Sequence, residues 1–74
     1  MKRNALLDDL ERTERQLRFG YHMLQRQKEL VADLERKGFD TTSDQRLLHQ
    51  LEVLQAHHHR ERNLLIVLAW GPRP

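Results

Sequence analysis

ERKGFDTTSDQ (residues 35–45) is the stretch that decides the fold, because it holds the strongest break in an otherwise helical pattern. Gly38 follows two basic residues and is typical of the left-handed residue that ends a helix, with Phe39 placed to contact the helix end. After Phe39 come residues of the types that commonly cap the N-terminus of a helix, and Thr42 and Gln45 have the spacing of a capping box. The segment therefore predicts that one helix ends here and a second begins a few residues later.

Long helical patterns flank this break on both sides. Leucine and valine recur at intervals of three, four or seven residues before it, with Asn4 as the predicted N-cap. The second pattern stops at Gly71-Pro72, where proline cannot continue a helix. The short loop predicts an all-α, antiparallel two-helix hairpin. The predicted boundaries are helix 1 over about 5–37, a loop over 38–42 and helix 2 over about 43–70, in one domain over 1–74.

The position of the loop also predicts which residues of the two helices face each other. A turn at about residue 40 sets Leu17 beside Leu65 and Leu24 beside His58, to within about one helical turn. Gly20 lies inside helix 1, where glycine costs about 1 kcal/mol relative to alanine. We interpret it as a position where the two helices approach closely.

Composition bounds the class of protein. A chain of 74 residues has room for one small domain, and the absence of cysteine excludes disulfides and cysteine-based zinc ribbons. The apolar run over 64–70 is far shorter than the roughly 18 to 20 residues of a membrane span, and the N-terminus lacks the apolar core of a signal peptide. The sequence therefore predicts a cytoplasmic protein with no membrane partner.

Charge gives little support to a nucleic-acid partner. The net charge is +2 and the isoelectric point is near 9.5, but acidic and basic residues alternate along the chain without a run of one sign. Arg12, Arg15, Arg18 and Arg26 lie near acidic residues on helix 1, which is typical of a solvated helix face, with a phosphate-binding stripe as the alternative. A nucleic-acid-binding regulator therefore stays an alternative to the main interpretation.

The chain offers more apolar surface than one hairpin can bury. Phe19, Met23, Leu30 and Leu34 form a second stripe on helix 1, and residues 64–70 are apolar all the way round helix 2. We therefore predict a homodimer in which two hairpins form a four-helix bundle, with a different protein as the alternative partner. The predicted interface residues are Leu6, Leu10, Leu17, Leu64, Leu65, Leu68 and Trp70. The large aromatic ring of Trp70 is expected to be the energetic anchor.

Three consecutive histidines, residues 57–59, are the most unusual feature of the surface. Consecutive residues on a helix point in different directions, so this triplet alone cannot hold a metal ion, and no HExxH or Glu-x-x-His motif is present. His58 lies on the apolar stripe of helix 2 and is expected to hydrogen-bond Tyr21 or a glutamine in a polar core layer. Metal binding across a dimer axis is the alternative.

Catalytic groups are scarce. The chain has no cysteine, a single serine at position 43 and no glycine-rich phosphate loop. The sequence predicts neither an enzyme nor a cofactor. It predicts a small interaction or regulatory protein that self-associates through its apolar helix faces.

Residues 26–62 resemble a set of small, uncharacterised alphaproteobacterial proteins with no known activity. The likeness covers about half of the chain, and its pattern includes a Gly-x-Asp-Thr loop and a late His-Arg segment. It implies a helical hairpin and a bacterial source, and it supplies no site. The matching positions here are Arg26-Gln27, Gly38, Asp40-Thr41, Leu47-Leu48 and His59-Arg60.

HRERNLL (residues 59–65) is similar to the phosphoacceptor motif of one histidine-kinase class, whose dimerisation domains are hairpins that pair into four-helix bundles. The likeness implies a phosphotransfer-like signalling module, with His59 as the phosphoacceptor and Asn63 beside it. Glu61 stands where that motif has an apolar residue, and the motif lies on the second helix instead of the first.

Overall fold

A computed structural model describes residues 2–71 as two antiparallel helices. α1 spans Lys2–Arg36 and α2 spans Thr42–Trp70, and the described residues contain no strand. The two helices pack against each other in a hairpin 57 Å long and 19 by 14 Å across. The all-α hairpin is thus confirmed. α1 begins before Asn4, which lies inside the first turn and is not the N-cap, and Pro72, predicted to stop α2, lies outside the described residues.

Gly38 ends α1 as predicted. Its backbone is left-handed, with φ of 82°, and its N–H donates to the carbonyl of Glu35 at 3.1 Å. The N–H of Phe39 donates to the carbonyl of Leu34 at 3.0 Å. These two bonds form a Schellman motif, which satisfies carbonyls that the helix end would otherwise leave free and reverses the chain within two residues.

We expect Gly38→Ala to lower the free energy of unfolding by about 1 kcal/mol, because a side chain disfavours the left-handed conformation. A Cβ at this position would meet no atom within 4 Å, so backbone strain is the whole effect. Urea denaturation measures the change. Gly38→Asn is the graded control, since asparagine tolerates this conformation better than alanine does. Equal stability of glycine and alanine proteins would contradict the assignment.

α2 begins with a hydrogen-bond arrangement that differs from the predicted capping box. The N-cap is Thr41, whose hydroxyl caps no backbone N–H. Instead, Oδ1 of Asp40 accepts from the backbone N–H of Thr42 at 3.0 Å and from its hydroxyl at 2.7 Å. Nε2 of Gln45 donates to Oε2 of Glu35 at 2.7 Å and to Oγ1 of Thr41 at 3.0 Å. In a capping box the side-chain oxygen of Gln45 would accept from the backbone N–H of Thr42, but Asp40 accepts from that N–H, and the Gln45 amide donates to Glu35 instead.

The Asp40 cap predicts a dependence of stability on pH. The hydroxyl of Thr42, and then its backbone N–H, lower the pKa of the Asp40 carboxyl below its ordinary value of 3.8. A carboxyl with a lowered folded-state pKa stabilises the fold above its unfolded pKa, and that stabilisation is lost as pH falls through the folded value. Thermal unfolding between about pH 2 and 6 should therefore show a shallower acid-side decline for Asp40→Asn, which does not titrate. Parallel curves for the two proteins would contradict the cap.

The core is a single seam between the helices. Buried or half-buried residues recur at alternating intervals of three and four, as in a coiled coil. In the described residues, the buried apolar side chains are Leu10, Leu17, Val31 and Ala69. The seam positions are Leu6, Leu10, Thr13, Leu17, Gly20, Leu24, Gln27, Val31 and Leu34 on α1, and Asp44, Leu48, Leu51, Gln55, His58, Arg62, Leu65 and Ala69 on α2.

The predicted register is wrong by about two turns. Nε2 of Gln55 donates to the carbonyl of Leu17 at 2.8 Å, where Leu65 was expected. A Cβ added at Gly20 would overlap the amide oxygen of Gln55, which confirms the close approach there. The predicted register places residue 62 opposite Gly20, seven residues from the observed partner. The predicted pairs, such as Leu17 with Leu65, centre at residue 41, whereas Gly20 and Gln55 centre between residues 37 and 38, and each residue by which the centre moves shifts the facing pairs by two.

Candidate functional site

Six of the large apolar side chains that the hairpin leaves exposed lie on one side of the seam. On this side, Met23 shares one groove with Phe19 and Leu54, and a second groove with Leu30 and Leu47. Leu68 lies fourteen residues after Leu54 on the same helix face, with Glu61 halfway between them in a groove that Asp9 and Arg12 also line. We call the following exposed residues the apolar side: Phe19, Met23, Leu30, Leu47, Leu54 and Leu68. Their exposed fractions range from 40 to 67%.

The residues predicted to form an interface divide into three groups in the structure. Leu10 and Leu17 are buried against the other helix of the same chain, so their surface is already used. Leu6 and Leu65 are half-buried at the seam. The other predicted interface residues, Leu64, Leu68 and Trp70, are exposed.

Trp70 does not lie on the apolar side. It follows Leu68 by two residues, which rotates it by about 200° around α2. A single flat partner cannot be centred on both side chains. The predicted interface also omitted Leu47 and Leu54, which are exposed on the apolar side.

The predicted hydrogen bond of His58 to Tyr21 or a glutamine is not formed in the described residues. His58 is half-buried at the seam, and its Nδ1 has no hydrogen-bond partner among the described residues. Tyr21 is exposed and its ring meets the edge of the His22 ring, with centroids 5.8 Å apart. Gln55 takes the polar role in the core, because its side chain crosses the seam over Gly20 to reach a backbone carbonyl.

A second groove lies on the opposite side of the seam. Arg18, Tyr21 and His22 of α1 face His59 and Arg62 of α2 across it, and no carboxylate lines it. We call these five residues the basic groove. Gln55 reaches both sides because it sits at the seam between them.

The described residues contain neither a metal-binding cluster nor a membrane-spanning helix. Among residues 2–71, no group of three or more histidine, aspartate or glutamate side chains is arranged to hold a metal ion. Neither helix, over the part that the structure describes, is long and apolar enough to cross a lipid bilayer.

The chain matches no protein-family model, no curated protein and no solved structure. The resemblances noted from the sequence therefore stay predictions. The apolar side and the basic groove are the candidate functional surfaces of the hairpin.

Proposed function

We propose that the protein is a non-catalytic interaction protein that self-associates, with the apolar side of one hairpin packed against the apolar side of a second copy. The observation that carries this proposal is the exposure of six large apolar side chains on one side of a thin, two-helix structure. The five of them that line two adjoining grooves form a contiguous apolar surface, and such surfaces mark interaction sites in soluble proteins. The resulting assembly is a four-helix bundle with two-fold symmetry.

Surface area supports a second copy as the occupant. The chain exposes 5901 Å² of solvent-accessible surface. A compact monomer of its mass, 8.9 kDa, exposes about 4,800 Å². The excess of about 1,100 Å² is similar to the roughly 800 Å² that each partner loses in a standard interface. One interface of this size would lower the solvent-accessible surface of the hairpin to about that of a compact monomer of the same mass.

The shape of the apolar side favours a partner that is two helices wide. Phe19, Met23 and Leu30 come from α1, while Leu47 and Leu54 come from α2, so the surface spans the full width of the hairpin. A single helix lying in the groove between α1 and α2 would leave the Phe19 ring uncovered. A second hairpin has the matching width and, by symmetry, presents the same apolar residues.

Sedimentation equilibrium over a wide concentration range tests the proposal. We expect a reversible or stable dimer of the full chain. A folded monomer at every concentration up to about 1 mM would overturn self-association. Circular dichroism on the same samples establishes whether the monomer is folded.

The position of Trp70 changes the residue that we expect to contribute most to the dimer interface, from Trp70 to Leu54. We expect Trp70→Ala to change the dimer dissociation constant by less than about threefold, because this ring points away from the apolar side. Leu54→Ala, at the centre of that side, should weaken the dimer by about tenfold or more. Sedimentation of the two variants compares them directly. A larger effect at Trp70 than at Leu54 would place the interface at the C-terminal end of α2.

A further inference from the structure

A further groove, next to the apolar side, is lined by charged residues. Its titratable side chains are Asp9 and Arg12 of α1 and His57 and Glu61 of α2. We call these four residues the charged layer. Each of the four precedes a seam residue by one position, as Met23 and Leu54 do, so the charged layer lies on the same side of the seam as the apolar side. A partner that covers the hairpin along its length covers both.

Glu61 enters the interface of any dimer that covers the whole apolar side, because it lies halfway between Leu54 and Leu68 on the same face of α2. It forms no ion pair within residues 3–71, where several other carboxylates are unpaired as well, so its position is what distinguishes it. A carboxylate that leaves water needs a cation or hydrogen-bond donors. Arg12 lines the same groove, and its five N–H donors exceed what its ion pair with Asp9 uses.

We propose, on the basis of the self-association proposed above, that the two copies pack loop end beside loop end and that Arg12 binds Glu61 of the partner subunit. The two-fold axis of this arrangement runs along the hairpin, so α1 faces α2 of the partner at the same distance from the loop. Gly20 and Gln55 lie at the same distance from the loop. Eight residues further towards the termini, Arg12 is opposite residue 63, two residues from the partner's Glu61. Each dimer contains this ion pair twice.

The opposite arrangement, with the loop end of one copy beside the chain termini of the other, brings like charges together. There α1 faces α1 of the partner, and full overlap centres the facing residues on residue 19, the middle of Lys2–Arg36. Arg12 then faces Arg26 of the partner subunit, since each lies seven residues from the middle. Asp9 faces Leu30 of the partner subunit to within one residue. Repulsion between the arginines and a carboxylate beside leucine both oppose this arrangement.

Sliding the copies along each other does not improve the opposite arrangement. Placing Phe19 against Leu30 of the partner subunit matches the apolar residues, but it moves residues 2–12 of α1 beyond the end of the partner helix, which lies at residue 36. Arg12 and Leu68 then stay uncovered. The loop-to-loop arrangement instead covers the hairpin along its full length and sets opposite charges against each other.

Distances between nitroxide labels on the two copies of the full chain test the arrangement. Lys37→Cys supplies the label site, because Lys37 is exposed at the loop end and the chain has no cysteine of its own. We expect a label-to-label distance below about 30 Å, since neighbouring helices of a bundle lie about 10 Å apart. A distance of about 50 Å, near the length of α1, would overturn the loop-to-loop arrangement and leave self-association intact. A parent chain that stays monomeric would overturn both.

Charge exchange between copies tests the pairing of Arg12 with Glu61. In the Arg12→Glu protein both facing groups are acidic, and in the Glu61→Arg protein both are basic, so each variant should dimerise about tenfold more weakly than the parent. Mixing the two variants restores opposite charges at both pairs, and the mixed dimer should have a dissociation constant within about threefold of the parent value. Sedimentation equilibrium of the separate and mixed samples measures all three constants.

Arg15→Glu and Glu52→Arg are the matched controls, since they make the same charge changes on the same two helices but lie outside the charged layer. We expect each to change the dissociation constant by less than about twofold, alone or mixed. An equal gain on mixing the two control variants would mean attraction between net charges and would overturn the ion pair. A mixture of the Arg12 and Glu61 variants that dimerises as weakly as either alone would overturn it as well.

Discussion

Phe19→Glu is expected to convert the dimer to a monomer at micromolar concentration, with the dissociation constant raised by at least about 100-fold, or about 2.7 kcal/mol. The Phe19 ring is the most exposed large apolar side chain in the described residues, at 67%. Burying a carboxylate at an apolar interface without a partner is costly, and two-fold symmetry places one in each copy. Sedimentation equilibrium of the variant measures the change.

Phe39→Glu is the matched control for this experiment. The side chain of Phe39 is 61% exposed, but it lies in the loop, away from the apolar side. Its N–H contributes the backbone bond of the helix end, which a substitution of the side chain leaves in place. We expect this variant to dimerise as the parent does. If both variants dissociate, general charge repulsion explains the result; if neither does, the apolar side is not the interface.

The hairpin was predictable because its signals are local. Gly38 ends a helix through its own backbone freedom, and the periodic leucines on either side need no knowledge of tertiary contacts. The start of α2 was harder to predict. Whether Gln45 caps its own helix or bonds Glu35 depends on how closely the turn brings α1, which no local pattern states.

The register and the interface could not be read from the same signals. α2 carries leucines on two adjacent stripes, and an apolar stripe does not say which neighbour covers it. Leu47 and Leu54 lie beside the seam, whereas Gln55 and Arg62 lie in it. The alternating spacing of three and four from Leu48 to Ala69 identifies the seam. Choosing this stripe over the more apolar one requires a polar residue to be accepted in the core.

Leu17→Ala is expected to lower the free energy of unfolding by about 3 kcal/mol, the second large effect. Leu17 is 7% exposed at the middle of the seam, where its side chain fills the space between α1 and α2 within one chain. The neighbouring Gln55 amide bonds its backbone carbonyl, which the substitution preserves, so the loss comes from packing. Urea denaturation at a fixed protein concentration gives the value.

Leu68→Ala provides the contrast, because Leu68 is exposed in the hairpin and belongs to the apolar side. The Leu68→Ala substitution should destabilise the protein only at concentrations where the parent is dimeric. Association stabilises the folded dimer by an amount that rises with the logarithm of the protein concentration. The effect of Leu17→Ala should instead be the same at low and high concentration. Equal, concentration-independent losses at both positions would mean that Leu68 packs within its own chain. Concentration dependence at Leu17 would mean that the seam joins two copies, as in an exchanged hairpin, and not the two helices of one chain.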